Sequence, residues 1–282
     1  MARQNLPSAP GPIGVFDSGY GGLTILREIK EALPQYDFIY LGDNARTPYG
    51  TRSFEIVYEF TLQAVTKLFE MGCHLVILAC NTASAKALRT IQINDLPHLD
   101  VTRRVLGVIR PTVEGIGAIT HSRHVGVLAT NGTILSQSYP LEIRKLFPDI
   151  TVSSQACPLW VPLVENNEAQ GEGTDYFVKK YIDELMAKDP QIDTIILGCT
   201  HYPLLLPKIK QYLPAGVEVV SQGAWVADSL KDYLRRHPEM DKKCTKGGRC
   251  VYRTTESEEK FTESASIFLN ESIRGERINL DY

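Results

Sequence analysis

His74–Ser84 reads HLVILACNTAS, and the change of character at its middle sets the fold. Leu75–Ala79 are five aliphatic residues without polar alternation, the pattern of a strand buried on both faces. Cys80 ends the run. Asn81, Thr82 and Ser84 then supply the polar side chains of a capped helix start, and the spacing predicts a helix over Ala83–Ile93. Cys80 is thereby placed at the carboxyl end of a strand, where open α/β sheets hold their ligands. The arrangement returns in Asp193–Pro203, DTIILGCTHYP, with Thr194–Leu197 as the strand and Cys199 at its end. Thr200 and His201 follow it as Asn81 and Thr82 follow Cys80.

Working outward, strands and helices alternate along the whole chain. Ile13–Phe16, Asp37–Leu41, Val105–Ile109, His124–Ala129, Ile150–Ala156, Val217–Val220 and Cys250–Thr254 read as further strands. Helical spacing fills Leu23–Leu33, Phe54–Met71, Thr174–Lys188, Ala224–Arg236 and Glu258–Leu269. Trp160–Glu165 reads as a loop and Lys242–Arg249 as a basic hairpin. Alternation of this kind indicates a parallel α/β protein. GVFDSG at 14–19 and GVLATNG at 126–132 both run strand, polar turn, helix, an internal echo that suggests two similar lobes. The glycines after Asp17 do not fit G-x-G-x-x-G, so a dinucleotide site is not indicated.

The 282 residues suffice for two domains, and 43% hydrophobic with 22% charged residues is ordinary for a globular protein. A net charge of −3 leaves no electrostatic footprint for nucleic acid. No apolar run approaches the ~20 residues that cross a bilayer, so no membrane association is expected. Residues 1–12 lack the apolar centre of a signal peptide and read as a disordered lead-in. A cytoplasmic setting follows, with the six cysteines expected as free thiols.

A cysteine between a strand and a helix amino end is expected to have a lowered thiol pKa. A lone cysteine in that place is more often a small buried side chain; two in matching contexts carry more weight. They lack C-x-x-C spacing for a redox pair, and with one nearby histidine they fall short of a closed zinc site, so no metal is expected. A Cys/His hydrolase would leave one thiol unexplained. Two thiols across a cleft can instead take a proton from one face of a carbon and deliver one to the other, which inverts a stereocentre. His201 is a candidate to polarise Cys199, and Asp17 and Glu165 are candidates to accept protons or orient a substrate ammonium.

At these residues the chain resembles the glutamate racemases of the aspartate/glutamate racemase superfamily. The resemblance runs from about Ile13 to about Leu269 through GVFDSGYGGLT at 14–24, YLGDNARTPYG at 40–50, VILACNTASA at 76–85, VGVLATNGTILS at 125–136 and LGCTHYPLL at 197–205. It implies two pseudo-symmetric α/β lobes, each a mainly parallel sheet flanked by helices, with the active site in the interlobe cleft. The lobes implied are 13–107 plus 221–282 on the Cys80 side and 108–220 on the Cys199 side. By position Cys80 and Cys199 match the family's two acid/base cysteines, Asp17 and His201 the residues that assist them, and Glu165 an auxiliary carboxylate. Asp17-Ser18, Tyr49-Gly50, Asn81-Thr82 and Thr200-His201 match its substrate-contacting pairs, with Pro48 on the Tyr49 loop and Thr130 and Thr133 close by. Expected with the resemblance are glutamate as substrate, no cofactor, a homodimer and a place in bacterial peptidoglycan synthesis. Ser221-Gln222-Gly223 departs from the expected Asp-Ser-Gly or Asp-Pro, and the 242–249 stretch with Cys244 and Cys250 has no assignment. A single-cysteine thiol hydrolase and a non-catalytic amino-acid-binding protein remain the competing classes.

Overall fold

The computed structural model describes residues 6–269 and 271–280. Among these, every pairing between strands is parallel, and the strands form two sheets. The first contains β1 (Ile13–Asp17), β2 (Phe38–Gly42), β3 (Leu75–Leu78), β4 (Arg104–Gly107), β9 (Cys250–Thr254) and β10 (Gly275–Arg277). Their order is β10-β9-β2-β1-β3-β4. The second contains β5 (His124–Ala129), β6 (Thr151–Ala156), β7 (Thr194–Gly198) and β8 (Glu218–Val220), in the order β6-β5-β7-β8. Helices cover the sheets, which makes this an α/β fold of two mainly parallel sheets. The unbroken aliphatic runs have their explanation in burial: every residue of β1, β2, β3 and β7 is buried.

Register aligns the ends that matter. Phe16 pairs with Leu78, and Ala79 N–H donates to the Phe16 carbonyl at 2.8 Å, so Asp17 and Cys80 emerge side by side. In the second sheet Ala129 pairs with Gly198, which sets Thr130 beside Cys199.

Several local expectations change. The helix expected over Ala83–Ile93 begins at Asn81 and breaks after Lys86; Leu88–Thr90, a π-helical turn at Ile91–Asp95 and Leu96–Leu99 follow. Pro97 supplies no N–H to the turn before it, and the coil widens there. Trp160–Glu165, expected as a loop, is a helix. Its Pro162 lies in the first turn, where a missing N–H costs no intrahelical bond. The 242–249 stretch is not a hairpin: Thr245 N–H donates to Gly11 and its carbonyl accepts from Asp37 N–H, so the segment crosses the amino ends of β1 and β2 into β9. The lead-in is held from Pro7 onward, where disorder was expected through residue 12; residues 1–5 lie outside the described ones. Arg103, fully buried, donates to the carbonyls of Pro7 at 2.5 Å, Phe69 at 2.9 Å and Cys73, while Gly11 bridges to Cys244.

Candidate active site

Cys80 is the N-cap of the helix Asn81–Lys86, and its sulfur accepts from Ala83 N–H at 3.4 Å. Ser18 Oγ lies 3.3 Å from the same sulfur. Asp17, at the end of β1, is sealed behind them, with Oδ2 accepting from Gly19 N–H at 3.0 Å. The expected lowering of the Cys80 pKa is reversed. Burial first, then the Asp17 charge, pushes the thiol up to about 12 against the Ser18 and Ala83 hydrogen bonds. Desolvation of a closed site outweighs the amino end of a six-residue helix. Burial also raises the Asp17 carboxyl, although the His201 charge opposes it.

Cys199 follows β7, with its sulfur 3.8 Å from His201 Nδ1. The other ring nitrogen, Nε2, is 3.0 Å from Glu165 Oε1, and Thr47 Oγ1 donates to that oxygen at 3.5 Å. Burial works against a charge on His201, yet the hydrogen bonds to Cys199 and Glu165 prevail and hold its pKa well above the ordinary range. The Glu165 helix is fixed from below, where Trp160 meets Tyr202 edge-on at 4.7 Å and Tyr202 donates to the Cys157 carbonyl at 3.1 Å. Phe268, from the helix Glu258–Leu269, closes against the His201 ring.

Both sulfurs line one narrow cavity of about 60 Å³. Ser18, Asn81, Thr82, Thr200 and His201 line it with them, as do Pro48, Tyr49, Gly50 and Thr130. Three of the expected residues stand behind the wall. Asp17 backs Cys80, Glu165 reaches the site through His201, and Thr133 lies 3.4 Å from the Thr82 hydroxyl and 3.2 Å from that of Thr130. The two sides also meet directly. Gly132 N–H donates to the Gly50 carbonyl at 2.8 Å, and the hydroxyls of Thr82 and Thr130 are 3.0 Å apart. Tyr49 is anchored by its hydroxyl on Asp43, which also accepts from Arg46 at 2.7 Å and Thr255 at 2.9 Å.

Thr47, Thr51, Asn131 and an apolar wall of Pro158, Val161 and Pro162 complete the lining, and sequence reasoning missed all six. For Val161 and Pro162 the signal was the helix hidden in WVPLVE. Among the described residues no group of three or more His, Cys, Asp or Glu is placed to hold a metal ion. All six cysteines are free, and Cys244 donates to the Met240 carbonyl. Chemically, the cavity offers two sulfurs of distinct surroundings and a ring of N–H and O–H groups suited to anions.

The sequence model of the Asp/Glu/hydantoin racemase family matches residues 13–230. A glutamate racemase of Ruegeria sp. is 41% identical over 271 residues, 93% of this chain and 97% of that protein. The crystal structure of a glutamate racemase isoform from Bacillus anthracis superposes with a TM-score of 0.86 at 35% identity, covering 96% of this chain and 98% of that one. A Francisella tularensis glutamate racemase in complex with D-glutamate gives 0.84 at 33% identity, with the same coverage of 96% and 98%.

Proposed function

Because the chain belongs to the Asp/Glu/hydantoin racemase family and is an isomerase, we propose that it interconverts L- and D-glutamate by proton transfer between two opposed thiols, without an organic cofactor. One observation carries the reading. Cys80 and Cys199 come from strand ends in two different sheets, yet line the same cavity, each beside its own polar partner.

Inversion at Cα needs a base on one face and an acid on the other, in opposite protonation states. Burial and Asp17 keep Cys80 protonated, whereas the His201 ring, held toward its charged form, stands 3.8 Å from the Cys199 sulfur. Cys199 takes the α-proton, forming S–H as Cα–H breaks, and the electron pair spreads into the α-carboxylate. Cys80 then gives its proton to the opposite face and is left as the thiolate. The return reaction exchanges the roles, with the substrate ammonium supplying positive charge near Cys80. N–H and O–H groups of Ser18, Asn81, Thr82 and Thr200 hold the carboxylates and stabilise the charge that develops there. Pro48, Tyr49 and Gly50 close over the ligand. His201 acts on Cys199, and Glu165, Asp17, Thr130 and Thr133 position their neighbours.

In the cell this activity would supply D-glutamate for bacterial peptidoglycan, from a cytoplasmic homodimer. The test is circular dichroism of L- and D-glutamate incubated separately with the protein, without pyridoxal phosphate. Both signals should decay to zero. A folded protein that alters neither enantiomer contradicts the proposal.

A further inference from the structure

Gln222 precedes the helix Gly223–Arg236, is 2% exposed, and has no role in the chemistry described so far. Its hydrogen bonds have only one self-consistent direction. The Thr112 hydroxyl spends its proton on the Val108 carbonyl at 2.8 Å, so it can only accept from Gln222, 3.0 Å away. That turns the Gln222 nitrogen toward Thr112 and its oxygen toward Asn81, whose Nδ2 donates to it at 2.6 Å. Gln222 Nε2 also donates to the Tyr139 hydroxyl at 2.6 Å. Burial keeps that phenol protonated, and its own hydrogen goes to Asn81 Oδ1 at 2.7 Å. Gln222 Nε2 reaches the same oxygen at 3.1 Å. With both Gln222 hydrogens given to Thr112 and Tyr139, the Asn81 oxygen accepts from the phenol and faces the Gln222 amide, while Nδ2 has spent one hydrogen of two.

We propose that Gln222 is a positioning residue that locks the Asn81 carboxamide so that it presents an N–H, and no carbonyl, to the substrate cleft. Asn81 lines the cavity, so this orientation selects a carboxylate at that point and rejects an ammonium or a hydroxyl donor. The lock also spans the two sides of the cleft, since Asn81 follows β3 while Thr112 and Tyr139 lie on the helices Ile109–Ile119 and Ser138–Leu146. The selection of a carboxylate rests on the glutamate reading, whereas the lock itself does not.

The experiment therefore has two arms. Protein labelled with 15N-asparagine is compared with Gln222→Leu, the Asn81 side-chain signal being assigned by its loss in Asn81→Ala. The signal should be protected from solvent exchange in the parent and move to exposed, fast-exchanging values in Gln222→Leu. In kinetics, Gln222→Leu should lower kcat/KM for glutamate by about 10- to 100-fold, the worth of one fixed hydrogen bond to a charged group. In the Asn81→Ala background the same change should cost less than about threefold, because the two residues act as one unit. Gln222→Glu keeps the shape but cannot donate to Thr112 and Tyr139; it is read in the same way should the leucine variant fail to fold. An unmoved Asn81 signal in a folded variant, or losses that multiply in the double variant, would overturn the proposal. A parent that leaves glutamate unchanged counts against the substrate reading alone, and the labelled signal still decides on Gln222.

Discussion

His201 hydrogen-bonds Glu165 through Nε2 at 3.0 Å, which leaves Nδ1 facing the Cys199 sulfur at 3.8 Å. An imidazole between a carboxylate and a sulfur can donate at both nitrogens only when it is charged. Glu165 is thus linked to the thiol through the ring and is not itself part of the cavity lining.

Glu165→Gln should lower kcat/KM by about 10- to 100-fold, the range of one charge-assisted hydrogen bond. The sign of the pH effect is fixed. Glu165 is one of two partners that raise the His201 pKa against burial, so its removal lets the ring proton leave at lower pH. The alkaline limb of the kcat/KM profile should move down. A profile that loses height without moving would assign Glu165 a packing role only.

Gly50 closes the cleft at close quarters. A Cβ there would lie 2.8 Å from Thr130 Cβ, in the way of the bond between the Gly50 carbonyl and Gly132 N–H. Gly50→Ala should hold the cleft ajar and raise KM roughly tenfold, about the worth of one lost closing hydrogen bond and its contacts. Steady-state kinetics and a melting curve separate this from unfolding. An unchanged KM would show that the loop yields without cost.

The buried thiols make an alkaline weakness. Burial pushes Cys73, Cys80 and Cys244 each up to about 12. Their stabilising contribution is complete below the unfolded thiol value of ~8.5 and is lost as pH rises through the folded value, because the unfolded chain binds fewer protons there. Urea unfolding should therefore weaken above about pH 9, by up to ~1.4 kcal/mol per pH unit for each thiol. Cys73→Ala, compared with the parent over the same range, should have a shallower slope. Equal slopes would mean that this thiol already ionises in the folded state.

What was legible in the sequence follows the same physics. β1, β3 and β7 are buried on both faces, so their aliphatic runs stand out, and the polar residues after them mark the helix starts. β10, Gly275–Arg277, is three largely polar residues at a sheet edge and leaves no such trace. The two cysteines were legible because their contexts repeat. Thr47, Pro158 and Val161 reach the cleft only by tertiary packing, and Gln222 sits in Ser-Gln-Gly with no periodicity to mark it. The direction of the Cys80 pKa was misjudged for a related reason: a helix start is local and visible, whereas burial depends on the whole fold.

The central claim is that Cys80 and Cys199 serve opposite faces of one carbon. The equilibrium constant between mirror-image substrates is one, so kcat/KM falls equally in both directions whichever thiol is changed. Half-reactions must be read instead. Cys80→Ser and Cys199→Ser are each incubated with L- and with D-glutamate in deuterated water, and loss of the Cα hydrogen is followed by NMR. Racemisation should fall by at least about 100-fold in both, since a serine hydroxyl is a far weaker base than a thiol and general acid–base groups supply that much. Each variant should still exchange the Cα hydrogen of one enantiomer with retention, and the two variants should choose opposite enantiomers. Exchange of the same enantiomer by both, or one variant left nearly as active as the parent, would contradict the two-thiol account.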